Sequence, residues 1–168
     1  MTQRLILTRH AKSGWDDPTS DDHDRILTDR GHRSAVTIGQ WLTGQNHTPD
    51  HVLVSSAART QETWALVRSQ LPNTIAADVD PILYLASAGG LMRALQGVKA
   101  GKTLLLIAHN PGISQLASTL LARQPASRQF QIYPTGATTV IDFDAETWGD
   151  TSVASGQFVD FVVPRDLE

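Results

Sequence analysis

The sequence predicts a three-layer α/β/α sandwich built on a mostly parallel sheet. Three observations carry this. Strand-like and helix-like segments alternate from residue 4 to residue 122, as the crossover units of a parallel sheet require. The segment "KTLLLIA" (102–108) ends in five consecutive apolar residues, the pattern of a central strand covered on both faces. The last third changes character. There "ATTVIDFD" (137–144) and "QFVDFVV" (157–163) are strand-like with no helix between them, which predicts an antiparallel pair at one side of the sheet.

The elements follow in order. "RLILT" (4–8) reads as the first strand. "TDRGHRSAVTIGQWL" (28–42) reads as a helix, with Thr28 placed as its N-cap and Ala35, Ile38 and Leu42 on one face. "HVLVS" (51–55) is a second short strand, followed by a helix over "ARTQETWALVRSQL" (58–71) with Trp64, Val67 and Leu71 aligned. "NTIAADV" (73–79) reads as a third strand. "GGLMRALQGV" (89–98) reads as a short helix, with Leu91, Leu95 and Val98 on one side. After the apolar strand, "GISQLASTLLA" (112–122) places Ile113, Leu116, Ala117, Leu120 and Leu121 at helical spacing. "RQPASRQFQIYPTG" (123–136) reads as a loop closed by Pro134 and Gly136. No repeat or linker interrupts the pattern, so residues 1–168 are expected to form a single domain.

Composition narrows the function classes. Hydrophobic residues make up 40%, which argues against both a disordered chain and a membrane protein. The apolar run near residue 105 is far too short to span a bilayer, and the N-terminus reads as a strand rather than a signal peptide. There are no cysteines, so disulfides, thiol catalysis and zinc–thiolate sites are excluded, and a cytoplasmic location is expected. Net charge is −3, with no stripe of Lys and Arg, so neither nucleic acid nor membrane is an expected partner. The six histidines show no HxH or HExxH spacing, and no metal is expected.

Open α/β sheets bind ligands beyond the carboxyl ends of their strands. The first strand ends in Arg9-His10. The second is followed by "SSAAR", which carries Arg59 into the first turn of a helix. The apolar strand ends in His109, followed by "NPG". Taken singly, each has an ordinary reading. A histidine after a strand is commonly structural, Arg59 can pair with Glu62 on the surface, and His109 with Asn110-Pro111 can simply begin a helix. Taken together, they place two arginines and two histidines at one rim with no acidic neighbour in sequence. Two unit charges ~4 Å apart interact by roughly 4 kcal/mol at an effective dielectric of ~20, so such a cluster calls for an anion. A phosphoryl group held by guanidinium forks and helix-terminal N–H groups is the simplest occupant.

These residues resemble the histidine phosphatase, or phosphoglycerate mutase-like, superfamily. Arg9-His10-Ala11 is similar to its Arg-His-Gly signature, and "KSGWD" to its ESxWN stretch. "LTDRGHRSA" (27–35) is similar to LTxxGxxQA, "SSAARTQETW" (55–64) to SxxxRxxQTA, and "IAHNPGI" (107–113) to the segment of the second histidine. Short length and the Arg-His-Ala variant most resemble the SixA-like branch, which includes phosphohistidine phosphatases. The resemblance implies a phosphoglycerate mutase-like fold and a metal- and cofactor-independent phosphatase. His10 would attack phosphorus and form a phosphohistidine enzyme, which water then hydrolyses. Arg9, Arg59 and His109 would hold the equatorial oxygens, with Lys12 adding positive potential at the rim. The second His10 nitrogen is expected to donate to a backbone carbonyl.

The chain departs from the family pattern where larger members carry a general-acid glutamate in a DxxLxE segment. Here the stretch is "DPILYL" (80–85), with Leu85 at the glutamate position and Asp80 at its start. General-acid help is typically worth about 10²–10⁴-fold. Without it, substrates with an easy leaving group are favoured, phosphohistidine among them. A loop "DDPTSDDHD" (16–24) offers Asp16, Asp17, Asp21, Asp22 and Asp24 as alternative acids, or is simply a solvated acidic loop. Arg25 is expected in an ion pair, and His23, His32, His47 and His51 are expected to be exposed and ordinary. The readings that follow are a phosphatase for phosphohistidine in proteins, a phosphatase for small phosphomonoesters, and a phosphoprotein-binding module without turnover.

Overall fold

A computed structural model describes all residues from 1 to 168. Six strands form one sheet: β1 (Thr2–Arg9), β2 (His51–Ser55), β3 (Asp78–Asp80), β4 (Thr103–Ala108), β5 (Thr138–Asp144) and β6 (Gln157–Val162), in the order β3-β2-β4-β1-β5-β6. The pairs β3–β2, β2–β4 and β4–β1 are parallel. β5 runs antiparallel to β1, and β6 antiparallel to β5, with a register shift between Val140 and Ile141. The fold is the expected α/β sheet, mostly parallel with an antiparallel C-terminal pair. Five helices accompany it: α1 (Asp29–Gly44), α2 (Ala58–Arg68), α3 (Ala88–Gln96), α4 (Gly112–Leu120) and α5 (Arg128–Ile132).

Strand pleating divides the apolar residues between two layers. Side chains alternate across a strand, so neighbours in sequence serve opposite faces. Leu5, Leu7, Leu104 and Leu106 pack with Leu91 and Leu95 of α3 and Ile113, Leu116 and Leu120 of α4. Ile6, Leu105 and Ile107 pack on the other face with Ile38 and Leu42 of α1 and Trp64 and Val67 of α2. The continuous apolar run of β4 is therefore the signature of a strand with two helical layers to satisfy.

Two segments differ from the sequence reading. The expected third strand at 73–79 shrinks to Asp78–Asp80, an edge strand on β2. Ile75 and Ala77 gave that segment its strand-like look; they pack against the α1–α2 core from outside the sheet. The stretch 123–136 is not all loop. It holds α5, whose first turn is capped by the Ser127 hydroxyl accepting from Phe130 N at 3.2 Å. A five-residue helix burying only Phe130 leaves no helical period to read.

The order β2-β4-β1 sets the carboxyl ends of three strands side by side, with Arg9 opposite Ala108 and Val54 opposite Ile107. Helix α1 is docked hard against the segment that follows. Thr28 N donates to Lys12 O at 2.9 Å, and Gly31 accepts no side chain, since a Cβ there would lie 2.1 Å from that same carbonyl. Replacing Gly31 by Ala should therefore cost about 1–3 kcal/mol of unfolding free energy in urea, because backbone must shift. Gly44→Ala is the control: with nothing within 4 Å of its Cβ, it should change stability by less than about 0.5 kcal/mol. Equal losses at the two positions would contradict the close approach at Gly31.

Candidate active site

The turn after β1 is clamped from three sides. His10 N donates to Ala108 O at 3.2 Å, Ala11 N to Thr63 Oγ1 at 3.0 Å, and Gly136 N to both Arg9 O (3.1 Å) and His10 O (3.0 Å). The His10 ring is 6% exposed. Its Nδ1 lies 2.7 Å from Ala11 O, and a carbonyl can only accept, so Nδ1 carries the hydrogen and Nε2 keeps its lone pair. Burial pushes the His10 imidazolium down to about 3; the Ala11 hydrogen bond opposes this, and His109, Arg59 and Arg9 reinforce it. The ring is a neutral base with a lone pair.

His109, at the end of β4, is likewise buried, and its ring centroid stands 5.4 Å from that of His10. Its Nε2 is 2.7 Å from the fully buried Ser55 Oγ, which also accepts from Ala57 N at 3.4 Å. The Ser55 proton has no other acceptor, so satisfying it requires donation to Nε2. His109 then carries its hydrogen on Nδ1, which is buried and has no partner. Burial, helped by Arg59, pushes His109 down to about 4.

The two arginines complete the cluster. Arg59, in the first turn of α2, is 2% exposed. Its Nη1 donates to Asp22 O at 2.7 Å and its Nη2 to Asp22 Oδ2 at 3.1 Å, while Nε is buried without a partner. Arg9 donates from Nη1 to Tyr133 O at 3.1 Å, and its Nε too is buried without a partner. Burial and the neighbouring Arg59 lower the Arg9 pKa from its ordinary value. Three buried donors thus stand unpaired around one neutral imidazole: Arg9 Nε, Arg59 Nε and His109 Nδ1. An unsatisfied buried donor costs about 1–3 kcal/mol, so three together define a place for an acceptor-rich anion.

The sequence reading brings Arg9, His10, Arg59 and His109 to one rim, and the structure places them there. Lys12 sits apart. Its side chain is exposed and borders a hollow of about 120 Å³ with Arg30 and Arg165 rather than the His10 cluster. Glu62 is not a partner of Arg59; it accepts from Leu27 N at 2.7 Å. Arg25 forms the expected ion pair, at 3.0 Å from Asp22 Oδ1, and its guanidinium lies 4.0 Å over the Trp15 ring. Of the four other histidines only His32 is the exposed residue expected. His47 is buried against Trp41 with Nδ1 3.3 Å from Arg4, and His51 pairs with Asp78 at 3.1 Å. His23 is partly exposed and belongs to the site margin, with Nε2 2.8 Å from Ser56 Oγ. No group of three His, Asp or Glu side chains is gathered as a metal would need.

Two residues complete the margin: Tyr84, which escaped the sequence reading, and Asp22, one of the five loop carboxylates it offered. Tyr84 sets its ring edge-on to His109 at 5.5 Å and to His23 at 4.8 Å, and its hydroxyl donates to Asp22 Oδ2. Of the five loop carboxylates, Asp22 alone reaches this cluster. It opens a 3₁₀ turn over Asp22–Asp24 that the His23–Ser56 contact ties to the start of α2. Partial burial works against its charge, but hydrogen bonds from Tyr84, Arg59 and Arg25 and the charge of Arg59 outweigh it and hold the carboxyl down to about 2. Asp22 is a carboxylate at neutral pH. Leu85 is exposed and offers no carboxyl at all.

Comparison with known proteins agrees with the geometry. The sequence profile of the histidine phosphatase superfamily (branch 1) matches residues 5–84. The uncharacterized protein Rv1276c of Mycobacterium tuberculosis is 34% identical over 163 residues, covering 94% of this chain and 99% of that one. A chloroplastic protein of Arabidopsis thaliana, At3g52155, is 34% identical over 130 residues, covering 71% of this chain and 60% of the plant protein's length. Among solved structures, a protein of Nakamurella multipartitia assigned as phosphohistidine phosphatase SixA superposes with a TM-score of 0.84 at 27% identity, covering 98% and 97% of the two chains. A phosphoglycerate mutase of Plasmodium falciparum shares the fold, with a TM-score of 0.62 at 19% identity, covering 97% and 98%. Fold and site together define a phosphohydrolase of the phosphoglycerate mutase-like class. The chain belongs to the histidine phosphatase superfamily, in its SixA-like branch.

The two lowered imidazoles have a consequence for acid stability. Unfolded histidines take up protons near pH ~6.5, whereas His10 and His109 wait until about 3 and about 4. Between those values the unfolded chain binds more protons, so stability falls as pH drops from about 6.5 towards 4. Urea midpoints at pH 7 and pH 4.5 should therefore differ more for the wild type than for a His10→Gln/His109→Gln variant. NMR should show both rings neutral at pH 5, with the hydrogen on Nδ1; protonation of either ring near 6.5 would contradict the burial argument.

Proposed function

We propose that the chain is a metal-independent phosphatase that works through a phosphohistidine intermediate on His10, and that its substrates are proteins carrying phosphohistidine. The observation that carries this is the lone pair of a neutral, buried His10 set among three unpaired donors. His10 Nε2 attacks phosphorus in line. Arg9, Arg59 and His109 Nδ1–H take the three equatorial oxygens, whose charge they stabilise in the transition state. Ala11 O accepts from Nδ1 throughout, so the attacking ring never has to lose a proton to solvent. Water then attacks the phosphorylated His10 and releases phosphate. Lys12 lies outside this set and contributes long-range potential at most.

Substrate class follows from what the mouth lacks. Leu85 stands where a general acid would be, and Asp22 is held ionised by Arg59, Arg25 and Tyr84. With no protonated carboxyl in place, an alkoxide would depart unaided, whereas a phosphohistidine already protonated on its other ring nitrogen leaves as neutral imidazole. The rim also exposes apolar side chains, Trp15, Ile82 and Leu85, suited to a protein surface. The relative from Nakamurella multipartitia carries the same assignment. No helix is long and apolar enough to cross a membrane. A substrate of this kind would be met in the cytoplasm, by residues 1–168 acting as one domain.

Phosphate release measured in EDTA, with a phosphohistidine protein and p-nitrophenyl phosphate side by side, tests the reading. Wild type should release phosphate from the phosphohistidine protein far faster than from the ester. His10→Ala should lose at least about 10³-fold, and Arg59→Ala about 10²–10³-fold. Activity that survives His10→Ala, or that disappears in EDTA, would sink the proposal.

A further inference from the structure

The proposed mechanism leaves its second half without a named group for the water. We infer that Asp22 is that group: its carboxylate positions the water that attacks phosphorylated His10 and accepts the proton that water gives up. The inference rests on the phosphatase reading above and deepens it.

The argument begins with placement. An in-line displacement at phosphorus puts the departing and arriving groups on the side opposite His10 Nε2. Arg59 links the phosphoryl site to Asp22. Its Nε faces inward and is unpaired, while Nη1 and Nη2 both grip Asp22. A phosphoryl group that accepts from Arg59 Nε therefore shares one guanidinium with Asp22. Tyr84 holds the carboxylate from the side, and its ring edge also touches His109, so one residue braces both the anion site and the base. Arg25 pins the other oxygen, Oδ1, at 3.0 Å from Nε, and is itself stacked on Trp15.

Charge is consistent with placement. The titratable groups facing Asp22 are Arg59 from α2, Arg25 from the same loop and Tyr84 from the segment before α3, with His23 and Asp24 as its neighbours in the turn. Two cations and a hydroxyl donor keep it anionic, as a base must be and an acid must not. The two catalytic-cluster imidazoles are otherwise occupied: His10 is engaged with phosphorus, and His109 Nε2 with Ser55.

The step balances. A water oxygen forms the new P–O bond while the P–Nε2 bond of His10 breaks, and that electron pair returns to Nε2. His10 leaves as neutral imidazole because Nδ1 still carries its hydrogen, donated to Ala11 O. One water proton passes to Asp22, which hands it on to departing phosphate or solvent. In a loose transition state the proton moves late, so the larger part of the effect is orientation of the water.

Rapid-quench kinetics with phosphoramidate as the phosphoryl donor separate the two half-reactions. In Asp22→Asn, about one equivalent of phosphoenzyme should accumulate on His10 while steady-state release falls about 10²-fold. Tyr84→Phe, which keeps the ring but frees the carboxylate, should slow the same step by about 10-fold. Asp22→Glu should restore part of the rate, and unfolding in urea should confirm that each variant is folded. If Asp22→Asn slows formation and breakdown of the phosphoenzyme equally, or speeds turnover, Asp22 is only a latch on Arg59 and the inference is overturned. If wild type turns over without labelling His10, the phosphatase mechanism falls first and this inference with it.

Discussion

The hydrogen bond from His10 Nδ1 to Ala11 O is the constraint on which the site depends. It uses the backbone of the next residue, so it costs no second side chain and cannot be displaced by a substrate. It fixes the tautomer, and it aims the lone pair of Nε2 away from the chain. The turn that allows it is itself held by β4, α2 and the loop ending at Gly136. The sheet thus positions the proposed nucleophile through main-chain geometry, and leaves Arg9 Nε, Arg59 Nε and His109 Nδ1 unpaired around it.

Burial then does two things at once. It keeps His10 and His109 neutral, as the roles proposed for them, nucleophile and hydrogen-bond donor with a defined tautomer, require. It also strands Nε of Arg9 and of Arg59 and Nδ1 of His109 without partners. In water such donors would be satisfied and worth little to a ligand. In a desolvated site each is a standing deficit that an oxyanion removes. Neutral imidazoles make this tolerable, because only two of the four residues carry charge, and Asp22 offsets the more deeply buried of them.

The four central residues were legible in the sequence because they share one region of the fold, the carboxyl ends of adjacent strands: Arg9 ends β1, His10 and His109 follow β1 and β4, and Arg59 opens the helix after β2. Strand periodicity and topology alone bring them together. Tyr84 and Asp22 have no such address. Asp22 is one of five carboxylates in nine residues, and what selects it is the turn held by His23 on Ser56. Tyr84 matters through edge contacts to two histidines from distant segments, which no local pattern encodes. His47 was misjudged for a related reason. It follows α1 as a loop residue, but the chain returns it beside Arg4 and Trp41, and long-range packing buries it. The short β3 shows the limit from the other side, since β-branched and apolar residues mark burial there without pairing.

The separation between strand-end residues and loop residues is also a separation of roles. In the proposed mechanism the groups that hold phosphorus in both half-reactions sit at or just beyond the carboxyl ends of β1, β2 and β4. The groups proposed to differ between half-reactions sit on the turn at 22–24 and the segment at 80–85, outside the three central strands, the latter anchored by Asp80 in β3 and by buried Leu83. A leucine at 85 and a carboxylate at 22 are one such setting: on the proposed reading, no proton donor for the departing group and a base for the arriving water. With a phosphorylated imidazole as the proposed substrate and again as the proposed intermediate, neither departure would need an acid, and activation of water would be the step left for the loops to serve.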